Sequence, residues 1–271
     1  MELTSKWIYL ILVGIVLISI TISVYLYLDA NKIKKDVQLG QLQLKGRYPE
    51  DVKDILITAS DELVSWPRSA SIGRDGKIQV EKVGRILDLT ATMNKIKLSE
   101  EGQRIKPVFA IIAPELTSRE IQSLTKPIGV YTTYVSGSEE RYHNIKVAGK
   151  FINYWLVMPR EVFSFNDTVG APLPEKGYKE APIIVDDKMV PGYGGGICQV
   201  STTLYNAILK ANLKIEERHA HSKDVNYVPE GKDATVAYDY LDFKFRNDRD
   251  RPVMIRVWAY NRRLTIGIYG I

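Results

Sequence analysis

The chain has 271 residues, 45% hydrophobic and 25% charged, and its 37 Lys and Arg against 32 Asp and Glu leave a formal charge of +5. The basic residues are dispersed among acids, which suits a neighbouring anionic membrane or wall polymer and gives no support to nucleic-acid binding. The single cysteine, Cys198, excludes any internal disulfide.

In chain order, Trp7 to Leu28 carries no charged side chain. At about 1.5 Å per residue it makes a helix of roughly 30 Å, the thickness of a hydrocarbon core. Residues 1–28 therefore read as a short tail and a transmembrane anchor, with Trp7, Tyr9, Tyr25 and Tyr27 as interfacial rings. A cleaved signal peptide would have a shorter apolar region, and Leu28-Asp29-Ala30 is a poor cleavage site. Lys32, Lys34 and Lys35 follow the span while Lys6 and the amino terminus oppose Glu2 before it, so local charge alone favours an inward-facing chain. Long domains translocate largely regardless of such charges, so these do not exclude an extracytoplasmic position for residues 29–271, the side that the family resemblance described below demands. Outside the cell, cysteines normally come in pairs, so a lone thiol there suggests reactivity.

About 240 residues after the span exceed the usual size of one domain and suggest two modules. Residues 29–47, rich in Lys and Gln, read as a linker. In a first module, 48–127, Lys77 to Val83 alternates as a strand, Ile86 to Ile96 has helical spacing, Arg104 to Leu116 returns to a strand broken by Pro, and Thr117-Ser118-Arg119-Glu120 is a helix-capping signal. Helices and strands mix without a βαβ rhythm, which predicts an α+β fold. The second module, 128–271, opens with a strand at Ile128 to Ser136 and a helix at Arg141 to Ile152, and Gly170 to Gly177 is too broken for regular structure. Ala234 to Phe245, Pro252 to Tyr260 and Leu264 to Tyr269 read as closing strands of an antiparallel sheet.

Cys198 stands where Gly194-Gly195-Gly196 turns into a helical pattern of Val200, Leu204, Ala207 and Ile208. Near a helix N-terminus, free N–H groups and the macrodipole favour a thiolate. The opposing reading is a small buried hydrophobe among glycines that merely pack. A cysteine nucleophile needs a partner that titrates near neutrality, and two of the three histidines follow at His219 and His221. Their alternate spacing on a strand would point both the same way. His221 is the first choice of base and His219 the second; surface histidines, or a metal site completed by an acid, are the other readings. Asp233 would orient the imidazole, with Asp242 as rival and a turn-forming role for Asp233 as the plain alternative. Gly194, Gly195, Gly196, Gln199, Ser201 and Thr202 are candidate substrate contacts, and Tyr205, Tyr178 and Phe165 candidate walls, with core packing the simpler role for Phe165. No P-loop, dinucleotide fingerprint or paired-cysteine metal signature occurs, so neither cofactor nor metal is expected.

Phe163-Ser164-Phe165-Asn166, Gly177-Tyr178, Pro191-Gly192 with the run Gly194 to Ala207, Arg218-His219-Ala220-His221-Ser222, Tyr227-Val228-Pro229, Gly231-Lys232-Asp233-Ala234-Thr235 and Asp242-Phe243-Lys244-Phe245-Arg246-Asn247 together resemble the VanW domain family in order and spacing. The resemblance covers about residues 128–271; Arg246 departs from the pattern at a position outside the proposed chemistry. Upstream, residues 48–126 look diffusely like the small peptidoglycan-binding module that often precedes such domains; its plain alternative is a rigid spacer. The resemblance implies a cell-envelope setting, links to glycopeptide resistance and, for some members, L,D-transpeptidase activity that makes 3-3 peptidoglycan cross-links. It makes Cys198 the nucleophile and peptidoglycan stem peptides and glycan the partners. Stem-peptide hydrolysis and a non-catalytic wall-binding module remain the alternatives.

Overall fold

The computed structural model of the protein describes residues 2–34, 36–185 and 188–271. Helix α1 (Glu2–Ala30) contains an 18-residue stretch, Val13–Ala30, of mean hydropathy 1.9 with none of it buried. Among the described residues it is the one helix long and apolar enough to cross a membrane. The side chains of Glu2, Lys6, Trp7 and Tyr9, and residue Lys35, lie outside what the structure describes.

The remainder is an α+β chain in two compact units, one ending at Arg68 and resuming over Lys82–Glu115, the other Ser69–Glu81 with Leu116–Ile271. In the first unit, α2 (Pro49–Leu63) starts with proline at its first position, and α3 (Leu89–Lys97) is capped by Asp88, which accepts from the Ala91 N–H at 2.8 Å. The expected helix from Ile86 begins three residues later, because Gly84–Leu87 pairs with Phe109–Ile112. The expected strand at Lys77 to Val83 shrinks to Ile78–Gln79. The stretch read as a linker is also different: Ile33, Val37, Leu39 and Leu44 are buried beside Val52, Leu56 and Ile96. Gln38–Leu39 pairs with both Leu42–Gln43 and Arg104–Ile105, so a polar-looking segment supplies core and ladder together.

The second unit carries the site. The hairpin Ser71–Ile72/Ile78–Gln79 packs with α4 (Ser118–Ser123), whose capping box forms as expected: Thr117 Oγ1 accepts from the Glu120 N–H at 3.2 Å and Glu120 Oε2 from the Thr117 N–H at 2.9 Å. A four-stranded antiparallel sheet runs in the order Lys126–Tyr134, Arg263–Gly270, Val253–Tyr260, Trp155–Val157. Two helices cover it, α5 (Glu139–Ile152) and, after the short α6 (Phe165–Val169), α7 (Ile197–Ala211). α7 buries Val200, Leu204, Ala207 and Ile208, the stripe that its spacing predicts. A second sheet, Val162–Ser164, Lys244–Arg246 and Lys214–Glu217, adds Phe163 and Phe245, whose rings stack 5.1 Å apart, to the same core.

The long strand expected at Ala234 to Phe245 is reduced to Lys244–Arg246. Upstream, its polar groups go to other partners. The Ala234 carbonyl accepts from the Ser201 and Thr202 hydroxyls at 2.6 and 3.2 Å, and Ala237 to Leu241 closes a turn with Asp239 at φ 61°. Backbone groups already satisfied by side chains and turns do not join a ladder.

Candidate active site

Cys198 is the second residue of α7, which starts from Gly196 at φ 107°, a left-handed conformation that glycine adopts without strain. A Cβ on Gly196 would lie 3.0 Å from the Arg141 carbonyl oxygen, and one on Gly195 2.6 Å from that of Pro182, so the loop is wedged between α5 and the hairpin Glu180–Val185/Lys188–Tyr193. Asn144 on α5 fixes it from beneath: its amide donates to Lys179 O at 2.8 Å and Gly195 O at 3.2 Å, and its oxygen accepts from the Lys179 N–H at 2.8 Å. Within the loop, the N–H groups of Ile197 and Gln199 donate to Gly194 O and Gly196 O, both at 3.0 Å. Those of Gly195, Gly196 and Cys198 have no acceptor among the described residues. They lie at the positive N-terminal end of α7, which borders the cavity.

The half-buried thiol lies 3.6 Å from Thr235 Oγ1 and 3.4 Å from Val236 O. His221 borders the same cavity, near enough to act on the sulfur electrostatically. The ring is held by Asp233, whose Oδ2 receives both His221 Nδ1 and the His221 N–H at 2.6 Å. A carboxylate only accepts, so Nδ1 carries a proton and Nε2 is left for the sulfur. Arg218 locks the acid in turn, with Nη2 2.7 Å from Asp233 Oδ1 and Nε 2.6 Å from Asp233 O.

Burial acts most strongly on the thiol and raises its pKa, but His221, the Val236 main chain and Thr235 outweigh it, so the pKa falls below the ordinary value. Burial likewise pulls His221 down, and its bonds to Cys198 and Asp233 overcome that and raise it. Asp233 is lowered against its own desolvation by the His221 N–H and ring. All three shifts favour a thiolate–imidazolium–carboxylate array.

A cavity of about 740 Å³ opens over the sulfur, lined by the glycine loop, Gln199, Phe165, Arg141, Tyr227 and the two lips at Ile183–Met189 and Tyr238–Tyr240, with residues 186 and 187 outside the description. Gly194, Gly195, Gly196 and Gln199 thus border the site. The Gln199 amide is turned inward, donating to Thr133 Oγ1 and Tyr134 O at 3.0 Å, and its buried Oε1 has no partner.

Other expected residues lie elsewhere. Ser201 and Thr202 are buried beneath the site and pin the Ala234 segment to α7, Thr202 Oγ1 also accepting the Ala234 N–H at 3.0 Å. Tyr205 packs edge-on to Phe243, and Tyr178 is 3% exposed, with its hydroxyl unpartnered, in the core rather than the cavity wall. His219 turns away to Glu217, 2.9 Å distant, whose carboxyl Lys244 and His219 pull down to about 2. The two histidines diverge because only His219 makes a strand-like bridge, to Thr235, so period-two pointing does not apply. Asp242 caps α6 and its approach, accepting from Ser164 Oγ at 2.6 Å and the Asn166 N–H at 2.9 Å. Among the described residues no cluster of three or more His, Cys, Asp or Glu could hold a metal ion. The cavity also takes in Arg141 and Tyr227, which sequence spacing does not assign to the site. Tyr227 lies in one of the quoted segments, whereas Arg141 sits among ordinary charges of a helix start and gives no sequence signal.

Residues 140–269 match the family described as VanW like protein. The chain is 40% identical over 209 residues to the uncharacterized protein YoaR of Bacillus subtilis, covering 75% of this chain and 69% of YoaR. Over 119 residues it is 34% identical to the vancomycin B-type resistance protein VanW of Enterococcus faecalis, covering 41% of this chain and 42% of that protein. No solved structure matches the chain significantly.

Proposed function

The chain belongs to the VanW-like protein family, and we propose that it is a membrane-anchored L,D-transpeptidase that forms 3-3 cross-links between peptidoglycan stem peptides on the extracytoplasmic side. The observation that carries this reading is the Cys198–His221–Asp233 array at the N-terminus of α7, opening on a cavity large enough for a peptide. The likeness to a vancomycin-resistance protein supports a cell-wall setting.

In this mechanism the Cys198 thiolate attacks the carbonyl carbon of the third residue of a donor tetrapeptide, forming a C–S bond. The N–H groups of Gly195, Gly196 and Cys198 hold the oxyanion, an interaction typically worth about 3–4 kcal/mol per donor. As the C–N bond breaks, the His221 imidazolium gives its proton to the departing D-alanine amine, leaving a thioester. An acceptor side-chain amine then attacks; neutral His221 takes its proton, the C–S bond breaks and the thiolate returns. Asp233 holds the ring through both half-reactions. The apolar lips, with Ile183, Met189 and Leu241, favour an amine over water as acceptor.

Full-length protein in detergent, incubated with disaccharide tetrapeptide and followed by mass spectrometry, is expected to give a 3-3 dimer with loss of D-alanine, absent with Cys198→Ala. Tripeptide monomer alone would mean hydrolysis by the same thiol. Cross-linking retained by Cys198→Ala would refute the mechanism, and unchanged substrate would favour a wall-binding role.

A further inference from the structure

Arg141 lines the cavity, and among the described residues it has no carboxylate partner. It lies in the first turn of α5, where its N–H donates to the Ser138 cap at 3.2 Å, and its stem lies against the glycine loop, since a Cβ on Gly196 would fall 3.1 Å from Arg141 Cγ. One guanidinium nitrogen donates to Ser136 O at 3.1 Å. The rest of the head borders the cavity, close enough to Cys198 and Tyr227 to feel their charge.

Among the described residues that line this cavity Arg141 is the one arginine, and none is an Asp or Glu; several other arginines of the same unit have acids. Arg218 has Asp233, Arg160 has Asp250, Arg246 has Glu216, Arg251 has Glu120, and Arg262 takes Glu139 from the same turn of α5. Among the described residues no acid pairs with Arg141. A half-buried guanidinium with unused planar donors is built for a carboxylate, which it can grip through two parallel bonds. In the reaction above, one carboxylate comes near the sulfur. When the leaving group is a single terminal amino acid, its carboxyl carbon is three bonds from the attacked carbonyl carbon, about 3–3.7 Å by covalent geometry.

We propose that Arg141 binds the free α-carboxylate of the leaving residue and so restricts acyl donors to peptides that end one residue beyond the attacked carbonyl. This rests on the acyl-transfer reading and adds a specificity-determining residue to it. A donor capped as a C-terminal amide loses the charge, and one extended by a further residue moves it out of reach. Arg141 also neutralises negative charge near the thiolate, so its two effects need separate readouts.

The test uses full-length protein and a synthetic stem tetrapeptide as the free acid and as the C-terminal amide, with D-alanine or D-alaninamide release as readout. Wild-type protein is expected to favour the acid by about 10- to 100-fold in kcat/KM, the range for a charge-assisted pair. Arg141→Gln is expected to lose that preference, the acid slowing by about 10- to 100-fold more than the amide; slowing common to both donors, together with a shift in the pH profile of Cys198 alkylation, reads the separate effect on the thiolate. Arg141→Lys should keep part of the preference, since it keeps the charge without the fork. A wild-type protein that does not distinguish acid from amide, or an Arg141→Gln variant that slows both donors equally, overturns the proposal while leaving acyl transfer standing. Release from neither donor by the wild type overturns acyl transfer itself, and this proposal with it.

Discussion

Replacing His221 with alanine is expected to slow alkylation of Cys198 by iodoacetamide by about 10- to 100-fold at pH 6.5 and to move the rate profile to higher pH. An ordinary thiol titrates near 8.5 and is about 1% thiolate at pH 6.5, so a partner that stabilises the thiolate is read directly in this rate. The sign follows from the site. In wild type the thiol pKa is lowered, so alkylation rises through that lowered value and is already on its plateau where a free thiol would still be climbing. The imidazole pKa is raised, so the ion pair persists until the pH passes through the raised value, above which the thiolate remains but the proton for the leaving amine is gone. Turnover should therefore fall at both ends while alkylation falls only at the acid end. Because Cys198 is the sole cysteine, the label reports on it alone. Superimposable profiles for wild type and His221→Ala would sink the proposed activation.

The second large effect concerns the platform of the site. Gly129→Ala is expected to destabilise the second unit by about 1–3 kcal/mol, the cost of overpacking a core. Its melting temperature should drop by about 3–10 °C. The new Cβ would lie 2.3 Å from Ala207 O and 2.5 Å from Ala211 N. Those are backbone atoms of α7 and cannot turn aside, so either the helix carrying Cys198 shifts on the sheet or the strand Lys126–Tyr134 leaves its register with Arg263–Gly270. Gly270→Ala is the control, since its Cβ would meet Ile128 at an ordinary 3.5 Å; it should change stability by well under 1 kcal/mol. Equal melting curves for the two variants would show that the helix–strand contact is looser than described.

What could be read in the sequence follows the physics of each signal. The cysteine helix was legible because Gly194 to Gly196 and the Val200–Leu204–Ala207–Ile208 spacing depend only on neighbours along the chain. The capping box at Thr117 and Glu120 is local in the same way. Asp233 as the partner of His221 was inferred from the need to orient an imidazole, and the 2.6 Å contact places the two side chains together. Ser201, Thr202 and Tyr205 are near the site in sequence, but successive residues of a helix face different ways: Ser201 and Thr202 are buried and Tyr205 packs, half-buried, on the core. Ala234 to Phe245 looked like one strand because composition cannot show that its carbonyls and amides are taken by Ser201, Thr202 and a turn. The buried Ile33, Val37, Leu39 and Leu44 were masked by intervening Lys and Gln in elements of two residues. Arg141 gives no local signal because its meaning lies in its place in the cavity, which only three-dimensional neighbours reveal.

The most direct measurement is the intact mass of the full-length protein, mixed with donor tetrapeptide in the absence of acceptor and quenched in acid. An adduct on Cys198 equal to the donor less D-alanine, discharged by hydroxylamine and absent from Cys198→Ala, is the predicted result. Turnover of the donor with no adduct on Cys198, undiminished in Cys198→Ala, would contradict the account.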